Sequence, residues 1–174
     1  MLFRSKASSL FKVINSKTGA TTIEELAPVE FEKGKTVITL KENANEYFFG
    51  GGVQNGRFSH KGKKVAIENQ NSWTDGGVCS PAPFYWSTGG YAVMCYTFSK
   101  GNYDFGATTK GKVTLTHETN YLDAFFMVND GAVALLNDYY QLTGNPVLLP
   151  KFAFYEGHLN AYNRDYWKQD DKGI

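Results

Sequence analysis

The sequence predicts a mainly β protein, an antiparallel β-sandwich followed by one amphipathic helix. Short runs rich in β-branched and aromatic residues recur along the chain between Gly, Asn and Asp turns, which is the sandwich pattern. Aromatic residues make up 16% of the 174, with 11 Tyr and 13 Phe, a composition that favours strands over a helical bundle. Only one stretch, near the end, shows the helical period.

Taken in order, Leu10, Phe11, Val13 and Ile14 form a first short strand closed by turn chemistry at residues 17–19. The next run, TTIEELAPVEF, reads either as a strand or as a single helical turn before Pro28. TVITL at residues 36–40 is β-branched at nearly every position and predicts a strand. From Tyr47 an aromatic strand runs into Gly50, Gly51 and Gly52, which allow positive φ or a close backbone approach. A dinucleotide fingerprint here would need glycine where Asn55 stands, and Gly56 and Gly62 are one residue too far apart for a nucleotide-binding loop. Arg57, His60, Lys61, Lys63 and Lys64 form a basic cluster that reads as a solvated turn, since no aromatic interleaving accompanies it.

A short strand follows at residues 65–68, and PFYWSTGGYAVMCYTF then has the shape of a hairpin turning at residues 87–90. Residues 100–102 turn again. KVTLTHET alternates strictly, placing Val113, Leu115 and His117 on one face. Residues 121–128, YLDAFFMV, are more apolar and predict a central strand. The period then lengthens: Val133, Leu136 and Tyr140 recur at three and four, predicting a helix over residues 130–142 with Asp130 as N-cap, Gly144 at C′ and Pro146 beyond. A proline linker leads into an apolar strand at residues 152–155.

Composition excludes several function classes. Eighteen Lys and Arg against 17 Asp and Glu leave a net charge of +1, so no field steers nucleic acid or an anionic membrane. No continuous apolar run is long enough for a transmembrane helix. Cys79 and Cys95 form neither a disulfide framework nor a CxxC pair. His60, His117 and His158 have no metal-ligand spacing, and no cofactor is implied. The start, MLFRSKASSLFKV, lacks the apolar core of a signal peptide, which leaves a cytoplasmic or a secreted bacterial location open.

The stretch richest in chemistry covers residues 71–106. Trp73, Thr74 and Asp75 precede the paired glycines Gly76 and Gly77, and two prolines then deliver the chain into Phe84, Tyr85 and Trp86. A carboxylate accepts hydrogen bonds from sugar hydroxyls, and flat rings cover the apolar faces of a pyranose. The competing reading is a tight turn with core aromatics.

The fragments YFFGGGVQNGRFSHKG, WTDGGVCSPAPFYWSTGGYAV, YDFG, LLNDYYQLTGNPVLLPKFAF and GHLNAYNRDYW, together spanning residues 47–167, resemble glycoside hydrolase family 31, the α-glucosidases and related transglycosidases. The resemblance implies a galactose-mutarotase-like supersandwich over residues 1–145, shortened at its start, and over residues 146–174 a linker and the start of a (β/α)8 barrel, with residues 152–159 as its first strand. It implies an α-linked oligosaccharide or glucoside as partner. The family's retaining mechanism uses two carboxylates about 5 Å apart, which lie further along the barrel in relatives. No W-x-D-M-[NSA]-E-like motif occurs here, so the chain alone is expected to lack catalysis.

By the same resemblance, Asp75 matches an acid on a sandwich loop that reaches over the barrel mouth to the sugar on the leaving-group side. Tyr162 matches an aromatic lining the pocket of the transferred sugar, although Ala161 stands where the family often has arginine. Trp73 is a stacking candidate; His158 and Asn160 read as groups behind the site, with a satisfied strand-end histidine as the equal alternative for His158. The missing barrel would leave apolar surface near Phe152, Phe154 and Tyr155, which a homo-oligomer could cover. A free-standing carbohydrate-binding or interaction module, a fragment of an α-glucan transglycosidase and a purely structural sandwich are the alternatives.

Overall fold

Strand after strand in this chain buries every second residue, and that alternation builds two sheets around one core. The computed structural model describes residues 10–70, 72, 74 and 76–154. Within them the strands are β1 (Lys12–Ile14), β2 (Thr21–Glu32), β3 (Lys35–Lys41), β4 (Phe48–Gln54), β5 (Lys64–Ile67), β6 (Val78–Ser87), β7 (Tyr91–Cys95), β8 (Gly101–Phe105), β9 (Lys112–His117) and β10 (Ala124–Val128), followed by helix α1 (Ala132–Thr143). One sheet has six strands in the order β1-β2-β3-β9-β8-β5, the other four in the order β10-β7-β6-β4, and every pairing is antiparallel. The chain separates into two compact units, Met1–Thr143 and Gly144–Ile174.

The inner faces supply the main core. Ile38, Leu40, Val65, Tyr103, Phe105, Val113 and Leu115 come from the larger sheet, and Phe48, Tyr85, Tyr91, Val93 and Cys95 from the smaller. The outer face of the smaller sheet carries a second cluster, in which Phe84, Ala92 and Met127 receive Leu135 of α1. The Tyr139 ring of the helix stacks on Phe84 at 4.1 Å. Val113, Leu115 and His117 share the buried face of β9, as their spacing predicts.

The structure settles one open reading and changes several expectations. The undecided run before Pro28 is the long strand β2, and its register slips between Glu25 and Ala27 and again between Ala27 and Glu30, the second slip spanning the proline, where the ladder lacks a donor. Residues 121–128 contribute only the five-residue β10, which is an edge strand and not a central one. It is apolar on both faces because Phe126 packs against the inter-sheet core while Met127 lies in the cluster under α1.

The helix buries Leu135, with Leu136 and Tyr139 beside it, while Val133 is 74% exposed. Its first bond, Leu135 N–H to Gly131 C=O at 3.2 Å, makes Gly131 the N-cap in place of Asp130. Gly144, at φ 88°, takes the left-handed C′ conformation. In the second unit, Lys151–Phe154 forms a 3-10 helix where a strand was expected. Ala153 N–H donates to Pro150 C=O at 2.9 Å, so the fixed φ of proline starts a turn there. The remainder of the expected barrel strand lies outside the described residues.

The glycine run of β4 has a steric basis. Gly50, Gly51 and Gly52 all have positive φ, and the β4–β6 register shifts between Gly50 and Gly52. A Cβ on Gly52 would overlap the Ser80 carbonyl oxygen of β6. Gly111 has the same φ of 81° with open space around it. Gly111→Ala is expected to cost about 1 kcal/mol from backbone strain alone. Gly52→Ala adds a backbone collision and should cost roughly 3 kcal/mol or more. Urea denaturation of the two variants checks this, and equal losses would remove the close-approach explanation.

Candidate functional site

The acid-bearing loop grows from the bulged end of β4. Asn55, one residue past that strand, holds the loop three times. Its N–H donates to Gly77 C=O at 3.0 Å, its C=O accepts from Gly76 N–H at 2.7 Å, and its Nδ2 donates to Ser72 C=O at 2.6 Å. The loop also closes on itself. Ser72 N–H donates to Val78 C=O at 3.1 Å, Gly77 N–H to Thr74 C=O at 2.8 Å, and the Ser72 and Thr74 hydroxyls lie 3.1 Å apart. Residues 72, 74, 76 and 77 are thereby tied to the ends of two adjacent strands, β4 and β6.

Close approach explains the paired glycines. A Cβ on Gly76 would overlap the Arg57 guanidinium, whose Nη1 donates to Lys64 C=O at 2.6 Å, and a Cβ on Gly77 would overlap the Ser72 side chain. Arg57 therefore links β5 to the loop.

The basic cluster is a solvated turn only in part: Lys63 and Lys64 are exposed, whereas His60 and Lys61 are engaged. His60 is buried, its Nε2 lies 2.8 Å from Gly50 C=O, and its ring stacks on Phe105 at 5.9 Å. Lys61 Nζ donates to Ala44 and Glu46 carbonyls at 2.8 and 2.7 Å and sits 5.2 Å from the Tyr47 ring centroid. Lys64 pairs with Asp104 at 3.7 Å. The apolar residues around these cations were what spacing alone could not show: the cluster wraps the end of β4 and fixes it.

The aromatics of PFYW are mostly occupied. Tyr85 is fully buried in the main core and Phe84 lies beneath α1. Trp86 stacks on Phe49 at 4.4 Å, and Phe49 meets Phe58 edge-on at 5.8 Å. Phe58 is 91% exposed and directly follows Arg57, so it is the open ring closest in sequence to the loop's anchors. Sequence reasoning passed over it; the available signal was one large apolar residue inside the polar turn QNGRFSHKG. Trp73, Asp75 and Tyr162, with His158 and Asn160, lie outside the described residues.

Elsewhere, an open groove of about 260 Å³ crosses the outer face of the six-stranded sheet, lined by Lys64, Asn102, Asp104, Lys112, Thr114 and Thr116 among others. It offers no ring for stacking, and Asp104 is engaged by Thr108 and the Ala107 N–H. Cys95 is buried, which pushes its thiol up to about 11 and leaves it unreactive. Among the described residues no group of three His, Cys, Asp or Glu could hold a metal ion, and no helix is long and apolar enough to cross a membrane.

Burial lowers the pKa of both His60 and His117, while burial raises that of Glu25. A histidine held neutral in the fold protonates more readily once unfolded, so stability falls as pH drops below about 6.5, the unfolded value. Glu25 acts in the opposite sense: its contribution is lost as pH rises from the unfolded carboxyl value through the raised folded one. His60→Gln keeps an amide that can bond Gly50 C=O and removes one titration. Its urea midpoint is expected to decline less between pH 7 and pH 5 than that of the parent chain, and an identical decline would contradict a buried neutral His60.

No family model matches the chain. Two curated proteins are similar to it: an alpha-xylosidase of Emericella nidulans, 28% identical over 147 residues that cover 82% of this chain and 18% of that protein, and an isomaltosyltransferase of Sporosarcina globispora, 26% identical over 137 residues that cover 70% and 12%. Among solved structures, the Flavobacterium johnsoniae GH31 dextranase complexed with isomaltotriose superposes with a TM-score of 0.75 at 19% identity, covering 82% of this chain and 18% of that one. The Listeria monocytogenes cycloalternan-forming enzyme in complex with its pentasaccharide substrate gives 0.70 at 17%, covering 83% and 15%. The structural matches establish the sandwich fold. The chain spans less than a fifth of the length of each of these relatives.

Proposed function

The chain is a relative of glycoside hydrolase family 31, and from that premise we propose that it is the N-terminal sandwich of a retaining α-glycosidase acting on α-glucosides or oligosaccharides. In this reading residues 1–145 are the sandwich, residues 146–174 lead into the catalytic barrel, and the loop around Asp75 serves as a substrate-binding lid for it. The observation that carries the reading is the triple hold of Asn55 on residues 72, 76 and 77, because a binding loop works only if its scaffold fixes it. Asp75 would accept hydrogen bonds from sugar hydroxyls on the leaving-group side. Trp73 and Phe58 would supply apolar cover, and Tyr162 would line the pocket of the transferred sugar. Bond breaking belongs to carboxylates outside this chain.

The likeness to an isomaltosyltransferase supports transfer to a second sugar as the next reading. Transfer and hydrolysis differ in whether a sugar hydroxyl or water reaches the glycosyl-enzyme, which depends on the acceptor side where this loop would lie. A free-standing carbohydrate-binding module is the remaining alternative.

Joined to a barrel, the protein should act on isomaltotriose with retention at the anomeric carbon, read by proton NMR; inversion would defeat the proposal. In that protein Asp75→Asn should lower kcat/KM roughly 10-fold to 100-fold, the worth of a hydrogen bond to a charged group. Calorimetric titration of the chain alone with maltose or isomaltose separates the module from the lid, because only a module binds appreciably without the barrel.

A further inference from the structure

Among the described residues the sandwich has four edge strands, and three carry the usual protection against pairing with another chain. β1 is three residues long, begins with Lys12 and has a register slip. β5 is four residues long and begins with Lys64. β4 is broken twice in register, once between Gly50 and Gly52 and once between Val53 and Gln54. β10 has none of these devices. It reads Ala-Phe-Phe-Met-Val, with no charge, glycine or proline, and pairs with β7 in unbroken register through all five residues.

Its free backbone groups form a self-complementary set. Asn129 N–H donates to Gly90 C=O at 3.1 Å, and Tyr96 N–H to Asp123 C=O at 2.8 Å. Residues 123 and 129 therefore face β7, and antiparallel alternation adds 125 and 127 to that side. The N–H and C=O groups of Ala124, Phe126 and Val128 point away from the sheet, and no strand beyond β10 is present among the described residues. Phe125 and Val128 are 40% and 43% exposed, and the half-exposed Tyr96 ring meets Phe125 edge-on at 6.4 Å.

We propose that β10 pairs antiparallel with β10 of a second copy of this chain about a two-fold axis at Phe126, joining the two four-stranded sheets into one of eight. In this register Phe126 exchanges both of its backbone bonds with its symmetry mate, and Ala124 lies opposite Val128 of the other copy. Charge does not oppose this partner. Asp123 then lies opposite the neutral Asn129 and Asp130 opposite Leu122, so no like charges meet across the axis. This pairing is independent of the sugar-binding reading.

Sedimentation velocity of the full 174-residue chain tests it. The expected result is a concentration-dependent shift to twice the monomer mass in the micromolar range. Val128→Pro removes an outward N–H that β7 does not use, so the ladder survives while association weakens roughly ten-fold or more. Val128→Lys introduces the charge that the other edges carry and should act alike, whereas Val133→Lys, on the exposed side of α1, should leave association unchanged. Circular dichroism establishes that each variant is folded, and Val128→Lys decides the matter where Val128→Pro is not. A chain that stays monomeric throughout, a folded Val128 variant that dimerises like the parent, or assembly that grows beyond two copies overturns the proposal.

Discussion

The contact on which the rest of the structure depends is that between Tyr85 and the backbone of Gly50. Tyr85 is the hub of the core, with ring centroids of Phe48, Tyr91, Tyr103 and Phe105 at 6.1, 6.0, 5.9 and 5.0 Å, so it joins the inner faces of both sheets. Gly50 lies opposite it in the β4–β6 ladder. A Cβ there would stand 2.9 Å from Tyr85 Cα and 2.7 Å from Phe84 O. The residue opposite this core tyrosine thus has no side chain, which lets the β4 backbone run close along that of β6.

That approach sets up the loop. The glycines that admit Tyr85 also take positive φ and interrupt the ladder, which leaves the Gly50 carbonyl in need of a partner. His60 supplies it through Nε2, and its own N–H donates to Phe48 C=O at 2.9 Å. The imidazole must stay neutral among Phe105 and the glycine backbone, which is why its pKa falls. Beyond the bulge the strand is free to turn, and Asn55 arrives where it can hold residues 72, 76 and 77. At the other end of β4, buried Glu46 accepts from the Ser87 hydroxyl and the Asn43 N–H. The strand is therefore fixed at both ends and bent in the middle.

Strand identity was legible wherever burial follows alternation, as in Val113, Leu115 and His117, since period two is a local property of the chain. What was not legible depends on contacts between elements. YLDAFFMV looks central because both its faces are apolar, yet only a helix arriving from later in the chain explains the outer one. The helix face reads differently for the same reason: Leu135 is selected by the pocket between Phe84, Ala92 and Met127, not by the spacing of Val133, Leu136 and Tyr140. His60 sits in a run of lysines and is buried because Phe105 and Gly50, 45 and 10 residues away, close around it. At the loop, the need for glycine at 76 and 77 was visible as a pair, but its cause, the Arg57 guanidinium and the Ser72 side chain, was not.

The smaller sheet divides its work between its two edges. On β4 the glycines interrupt regular pairing, His60 takes up the Phe48 and Gly50 carbonyls, and Asn55 just past the strand ties residues 72, 76 and 77. A loop of this kind could not be seated on a regular edge without breaking it. β10 is the regular edge: every residue is in register with β7, its core face is locked by Phe11 and Phe126, whose rings meet at 5.2 Å, and its free donors and acceptors alternate in the order a strand requires. Irregularity in the smaller sheet is thus confined to the β4 side, and the β10 side keeps a regular edge to which a further strand could add.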